Sequence, residues 1–573
     1  MYPPTSSTTH LAPEGSGHMP HRSSFATSHA GKRRRSPWLW IGIAVVAIVV
    51  ILAAVLGGVL GSRANNDNKN NNSIGTKVNA GAAGAAADAS SGAAASETSS
   101  AAGSAATPPP GAATLNVVDL PAWNWGQNKS IGMCLGNWLQ LEKWMSPDTF
   151  NDTVNAVQPG AGATTLDEWG FMEVLGQERG RTALIEHFDT WVTEADIEEM
   201  FQYGINHLRI PTPFWAWIPT IAGEPYLNDT TVYQEQIERI LGYAYARGMY
   251  ALIDCHGLPG SQNGEQSSGH LTTEPSWFGG SADTETPNQI RSDQMVTAIT
   301  EWLAANPYRS VVTGIEVINE PRPYTDDQIM QLQKYYERSY ETIQKSAWPV
   351  ATFLHNGYTN LTYWQDFAAA HATEPPSMVM VDHPYPGNNN ADDILKQICS
   401  AADRYLGYPI PICIDEWSLY TGVKDQAFEK QFYEQQLVTW AWSAGGMYWS
   451  WKIETSQQDL AAGLDYSQYS FATILKNNSA TIDKPSAFGQ NGTTSQGSAE
   501  AYLSALAAQI SPSCGTAPSN VAPYATATVS AWTAEQSARS SAAGQTLTAT
   551  VTTSTASSAT ATARAKRALP LRA

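Results

Sequence analysis

Between Ile131 and about Leu506 the chain repeats one pattern eight times: a short apolar run, then a longer amphipathic stretch. The runs are IGMCL (131–135), NHLRI (206–210), YALID (250–254), GIEVIN (314–319), VATFLH (350–355), SMVMVD (377–382), IPICID (410–415) and GMYWSW (446–451). Short apolar runs rich in β-branched residues suit strands buried on both faces. The intervening stretches carry helix signals. In TEADIEEMFQYG, Thr193 stands at the N-cap, the acidic Asp196 follows three residues on, and Gly204 is the stop. TTVYQEQIERILGYAYARG and DDQIMQLQKYYERSYETIQK have the same character. Eight strand–helix alternations predict an α/β fold, a (β/α)8 TIM barrel rather than an open sheet.

In such a barrel the active site is built at the C-terminal ends of the strands. The fourth strand, in VVTGIEVINEPRPY, ends in Asn319-Glu320-Pro321. A carboxylate left buried without a partner costs several kcal/mol, so its presence at a core strand tip needs a reason. The other tips are also polar: Arg209 on the second strand, Asp254 and His256 on the third, and Asp382, His383 and Tyr385 on the sixth. Asp415 and Glu416 end the seventh, and Trp449 and Trp451 close the eighth. Singly, each has a bland explanation as a helix cap, an ion pair or a core residue. Six polar tips at one end of one barrel point to a site.

Glu320 and Glu416 are expected to face each other across the barrel mouth. With an arginine and histidines, but neither metal-ligand spacing nor a nucleotide loop, the chemistry this supports is glycoside hydrolysis. One carboxylic acid protonates the departing oxygen and the other attacks the anomeric carbon, about 5–5.5 Å away, giving retention. Mutual repulsion keeps one proton on the pair, and Arg209 is expected to favour ionisation of the nearer glutamate. Tryptophan faces offer platforms for sugar rings, and Asn319 can bind the hydroxyl beside the reacting carbon.

GNWLQLEKW, DTWVTEADIEEMFQYGINHLRIP, DCHGLPGSQNG, INEP, DHPY, DEWS and YWSWK occur in the order found in glycoside hydrolase family five. The chain most resembles its fungal exo-β-1,3-glucanase branch, over roughly residues 131–465. The resemblance implies a retaining, metal-free and cofactor-free enzyme with Glu320 as acid/base and Glu416 as nucleophile. It implies that Arg209, His256, Asn319, His383 and Tyr385 surround the reacting sugar, with Tyr385 holding Glu416 by a hydrogen bond. It further implies that Glu142 binds sugar hydroxyls and that Trp449 or Trp451 stacks on a ring. Two departures stand out. The usual Phe-Asp-Asn run after GSQNG is replaced by Glu265-Gln266-Ser267, and the segment 418–447, which helps wall the pocket in that branch, is shorter. The first choice is a glucan 1,3-β-glucosidase; a β-1,6- or endo-acting glucanase, a transglucosylase and an inactive glucan-binding wall protein stay open.

Outside the barrel the composition changes. Residues 1–37 are polar and close with Lys32-Arg33-Arg34-Arg35, and residues 38–60 (WLWIGIAVVAIVVILAAVLGGVL) carry no charge. About 20 apolar residues span a bilayer. Basic residues before the span and Arg63 alone just after it predict a cytoplasmic N-terminus, hence a single-pass type II protein of the plasma membrane facing the cell wall. A flexible linker (61–113), a catalytic domain (114–514) and a disordered Ser/Thr/Ala-rich tail (515–573) are expected to follow. Asn-x-Ser/Thr sites at Asn71, Asn128, Asn151, Asn228, Asn360, Asn477 and Asn491 fit an extracellular face. The net charge of −19 argues against nucleic acid. The expected partners are a β-glucan chain and the membrane, and a monomer is expected. Of five cysteines, Cys399 and Cys413 are expected to form the local disulfide, with Cys134 and Cys255 as core residues.

Overall fold

The computed structural model describes residues 117–386, 390–477, 481–482, 495–509 and 514. Eight strands, β1 (Ser130–Cys134), β2 (His207–Pro213), β3 (Tyr250–Gly257), β4 (Val312–Glu316), β5 (Ala351–His355), β6 (Met378–Val381), β7 (Ile412–Trp417) and β8 (Gly445–Tyr448), pair in chain order. All eight pairings are parallel, and β8 returns to β1 to close the barrel. Each strand overlaps a run read from the sequence. The strongest helix signals also hold. Thr193 and Asp196 form a reciprocal capping box at the start of helix Glu194–Gln202, and the other two sequences fold as helices Thr230–Ala246 and Asp326–Gln344.

The barrel is unlike at its two ends. Where the strands begin, Trp123 and Trp125 pack on His207, Phe353 and Tyr250, with ring centroids 4.5–5.0 Å apart. That aromatic plug makes the lower end apolar. Outside the barrel, aliphatic strand residues pack on the helices in one continuous core. Polar side chains are thus concentrated where the strands finish.

One strand differs from its expected span. The β4 ladder stops at Glu316, not Asn319. Val317 N still donates to the Phe353 carbonyl of β5, whereas Asn319 N donates to the Cys255 carbonyl of β3. The chain swings across the barrel mouth and sets Glu320 in the left-handed region at φ 46°. A non-glycine residue there costs about 1–3 kcal/mol and persists where its surroundings hold it.

The expected Cys399–Cys413 disulfide is incorrect. Cys399, on helix Ala391–Tyr405, is bonded to Cys514, while Cys413 lies inside β7 as a buried thiol, as do Cys134 and Cys255 elsewhere. Cys413 packs with Cys134, Phe353, Val381 and Met447, on the opposite face of β7 from Ile412 and Ile414, which pack with Ile398 of the helix that carries Cys399. The apolar run 38–60, the flanking tail and linker, the tail after 514, and the sites Asn71 and Asn491 lie outside the described residues. Among the described residues no helix is long and apolar enough to cross a membrane.

Candidate active site

Arg209 leaves β2 pointing into the barrel mouth and is fully buried. Its Nη1 donates to Glu416 Oε1 at 2.7 Å, and its Nε donates to Glu316 Oε2 at 2.9 Å. Its Nη2 donates to Asn319 Oδ1 at 2.8 Å, Asp254 Oδ2 at 3.0 Å and Glu316 Oε2 at 2.7 Å. One guanidinium thus ties together the tips of β2, β3, β4 and β7. It stands behind the cleft surface, where Glu416 and Asn319 are exposed to the cavity in front of it.

Glu416 is held from two sides. Arg209 binds one carboxylate oxygen, and the Tyr385 hydroxyl donates to the other at 2.9 Å. His383 lies between the glutamates: its Nδ1 is 2.8 Å from Glu320 Oε1 and 3.6 Å from Glu416 Oε2, and its Nε2 is 3.0 Å from Asp415 Oδ1. Burial alone would keep this imidazole neutral, yet Glu416, Asp415 and Glu320 raise its pKa well above the usual value, so it carries charge. The two carboxyls then shift in opposite directions. Burial pushes Glu416 up against the pull of His383 and Arg209. For Glu320 burial acts the same way, but the His383 hydrogen bond and charge outweigh it and hold this carboxyl below the usual range. The directions of the two shifts are thus the reverse of what the arginine contact alone suggests. Groups this close titrate as a unit with one proton between them.

On the opposite wall, His256 Nδ1 contacts Asp254 Oδ2 at 2.7 Å, and its ring stacks on Trp449 at 5.4 Å and 7°. Burial would lower its pKa, but Asp254 and Glu142 raise it to about 9. Glu142 lies 3.7 Å from His256 Nε2 and accepts from Trp144 Nε1 at 2.9 Å. Of these groups Glu142, His256, Asn319, Glu320, Tyr385, Glu416 and Trp449 line one cavity of about 1060 Å³, while Arg209, Asp254, His383 and Asp415 stand buried behind them.

Two expected residues do not join them. Trp451 is buried on the outside of the barrel, where its Nε1 donates to Asp196 Oδ1 at 2.9 Å and its ring packs on Phe471. Trp449 and Trp451 are two positions apart, yet the chain has left the β8 ladder at Tyr448, so strand alternation no longer puts them on one face. Asp382 also turns away, accepting from Asn356 Nδ2 and Tyr405 Oη in the helical layer. Other groups were missed. Glu316 is a charged residue inside an apolar run, a signal that could have marked it as Arg209's partner. Tyr358, in the left-handed region at φ 55°, packs its ring 4.7 Å from the Arg322 guanidinium, and its hydroxyl neighbours Glu320. Glu265, from the segment that departs from the resembled family, lines the cavity and pairs with Arg322 Nη2 at 2.8 Å. Burial and the nearby Glu320 push Glu265 up to about 7. The far wall comes from residues 456–469, not from 418–447.

Among the described residues, Glu320, His355 and His383, and likewise Glu316, His383 and Asp415, bring ligand-type atoms within 4.8 Å of one another. His383 uses both nitrogens on carboxylates, and His355 Nδ1 accepts from Gly357 N at 3.0 Å, which leaves the ring proton on Nε2. His383, Glu320 Oε1 and Asp415 Oδ1 are thus joined in one hydrogen-bond network that can pass protons.

A model of the family "Cellulase (glycosyl hydrolase family 5)" matches residues 175–455. The probable glucan 1,3-beta-glucosidase A of Aspergillus terreus is 29% identical over 369 residues, covering 56% of this chain and 83% of that protein. Glucan 1,3-beta-glucosidase 1 of Schizosaccharomyces pombe is 33% identical over 304 residues, covering 52% of this chain and 70% of that protein. Among solved structures, the rutinosidase from Aspergillus niger superposes with a TM-score of 0.51 at 24% identity, covering 58% of this chain and 92% of that one. At that identity the likeness speaks to the fold. Barrel, motif order and relatives agree: this chain is a glycosidase and belongs to glycosyl hydrolase family 5.

Proposed function

We propose that the chain is a retaining glucan 1,3-β-glucosidase that removes glucose from cell-wall β-glucan, with Glu416 as nucleophile and Glu320 as acid/base. The observation that carries the retaining mechanism is His383 Nδ1, which is 2.8 Å from Glu320 and 3.6 Å from Glu416. The nearest oxygens of the two carboxyls can be no farther apart than the sum of those distances. That bound brings both carboxyls to a single sugar and accommodates the roughly 5–5.5 Å separation of retaining enzymes. The β-1,3 linkage is supported by the names of the fungal relatives, which bear on substrate class and not on this chain's own specificity.

The charges of His383, 3.6 Å from Glu416 Oε2, and of Arg209, on its other oxygen, favour the ionised nucleophile, while the acid/base role requires Glu320 to carry the proton once substrate is bound. Arg209 and Tyr385 hold Glu416 for attack on the anomeric carbon as Glu320 protonates the departing oxygen. The covalent glycosyl-enzyme is then opened by water, with Glu320 taking the water's proton. Trp449 offers its ring to the sugar in the cleft.

The chain is further proposed to be a plasma-membrane type II protein acting outside the cell, from the uncharged run 38–60 and the basic residues ahead of it. One experiment addresses both parts. Intact cells expressing the full chain should hydrolyse added laminarin, releasing β-glucose first by NMR, and Glu416→Ala and Glu320→Ala should each lower the rate by orders of magnitude. Wild-type turnover by either variant, or α-glucose first, refutes the mechanism. Activity that appears only after lysis refutes the outward orientation.

A further inference from the structure

Glu168 is a buried carboxyl with no part in the proposed chemistry. It opens helix Glu168–Trp191, is fully buried, and faces two donors: its Oε2 accepts from Leu141 N at 2.7 Å and its Oε1 accepts from Trp215 Nε1 at 3.2 Å. Burial outweighs both contacts and pushes its pKa up to about 8. For stability alone this is a poor choice, because a carboxyl held away from water is costlier than an apolar side chain of similar size. A residue that breaks a local rule in this way is expected where function requires it.

The contact to Leu141 shows what the carboxyl reaches. Leu141 precedes Glu142, which lines the cavity beside His256 and Trp144. On the other side of Glu142, Lys143 Nζ donates to the Gly162 and Thr165 carbonyls at 2.6 and 2.7 Å. Glu142 is thus flanked by two residues that are both fastened to the segment 162–168. The adjoining residues hold a second part of the cavity wall. Asp167 accepts from Gly170 N at 2.8 Å with one oxygen, capping the helix, and from Leu271 N with the other. Trp169 N donates to the Gly269 carbonyl at 3.0 Å, and the Trp169 ring stacks on His270 at 4.2 Å and 13°. Leu271 and Gln266 line the cavity, and Gln266 Oε1 accepts from Trp144 N at 3.3 Å.

We infer that Glu168, from outside the cavity, is a positioning residue for the reaction: with Lys143 it fixes the loop that presents Glu142 to the sugar. This rests on the glucosidase reading of the site, in which Glu142 binds hydroxyls of the reacting sugar. A carboxyl suits the task because it accepts from two fixed N–H groups at once. Glutamine has a single acceptor oxygen and would turn an N–H toward Leu141 N or Trp215 Nε1.

The test is a double-mutant cycle of Glu168→Gln and Glu142→Ala, read as kcat and KM on p-nitrophenyl β-glucoside, a substrate with a single sugar. Glu168→Gln should raise KM about tenfold, the worth of one contact to the sugar. In the Glu142→Ala background the same change should move KM by less than about twofold, since the contact it disturbs is already gone. A merely structural role would shrink the folded fraction, lowering kcat at unchanged KM in both backgrounds, and that result overturns the inference. A rise in KM that persists undiminished in the Glu142→Ala background also overturns it. Should Glu168→Gln not fold, Lys143→Met runs the same cycle with the same outcomes. A wild type inactive on the glucoside refutes the β-glucosidase reading instead, and the cycle is then read on whichever p-nitrophenyl glycoside it cleaves.

Discussion

A single guanidinium cannot balance the four carboxyl groups around Arg209, so the charge is settled by protonation. Burial pushes Glu316 well up, whereas Arg209 and His383 overcome burial at Asp415 and hold it below the usual carboxylate range. His383 and His256 carry the remaining positive charge. Histidines elsewhere behave in the opposite way. His207, in the aromatic plug, and His187 have no carboxylate beside them, and burial lowers them to about 3 and about 4. An unfolded histidine titrates near 6.5, so below that pH the unfolded chain binds protons that these two refuse. Their contribution to stability is complete above about pH 6.5 and is lost as pH falls toward 4 and then 3. Urea unfolding at pH 7 and pH 4.5 should show the loss, and His207→Phe should shrink it by on the order of 2 kcal/mol. Equal losses in both proteins would place the acid sensitivity elsewhere. Comparing the two pH values within each protein cancels the constant effect of the lost Thr313 contact.

Among the elements, the junction after β8 shows why Trp451 is a brace. Asp196, inside the capping box of helix Glu194–Gln202, accepts from Thr193 N at 2.8 Å, Trp451 Nε1 at 2.9 Å and Lys452 Nζ at 2.8 Å. Asp196→Ala should lower stability by about 2–4 kcal/mol, losing the cap and leaving a buried indole N–H without a partner. Thermal unfolding checks this, and kcat/KM on the same samples should not change; a fall in kcat/KM at unaltered stability would return Trp451 to the site. The strands and helices were legible because apolar runs and capping residues are local signals. The direction of a side chain beyond the end of a ladder is not local, and there the reading failed. Glu320 was located by its motif, but its left-handed backbone depends on a crossing from β5 to β3 that the sequence VINEP does not announce. Trp451 and Asp382 were placed at the site as strand tips, but both lie beyond the last ladder residue, Tyr448 and Val381. The disulfide was misread for a related reason, since nearness in sequence says little about which cysteines share a layer.

For the whole molecule, the Cys399–Cys514 bond joins helix Ala391–Tyr405 to a residue beyond the last described helix, Ser495–Gln509, which packs against helix Gln426–Trp440. It encloses β7, β8 and both of these helices within a span of 115 residues. A cross-link over so long a loop is worth about 2–5 kcal/mol. Cys514→Ser should cost that much in a denaturant titration and should make the protein indifferent to reductant; an unchanged midpoint would remove the bond from the stability account. During synthesis, the ring of strands can be completed by residue 448, while the clasp waits for residue 514 to emerge. For that interval Cys399 is a half-buried thiol with no mate, open to capture by another chain. Premature stops short of 514 make that interval permanent, and such products should accumulate as covalent dimers in an oxidising compartment.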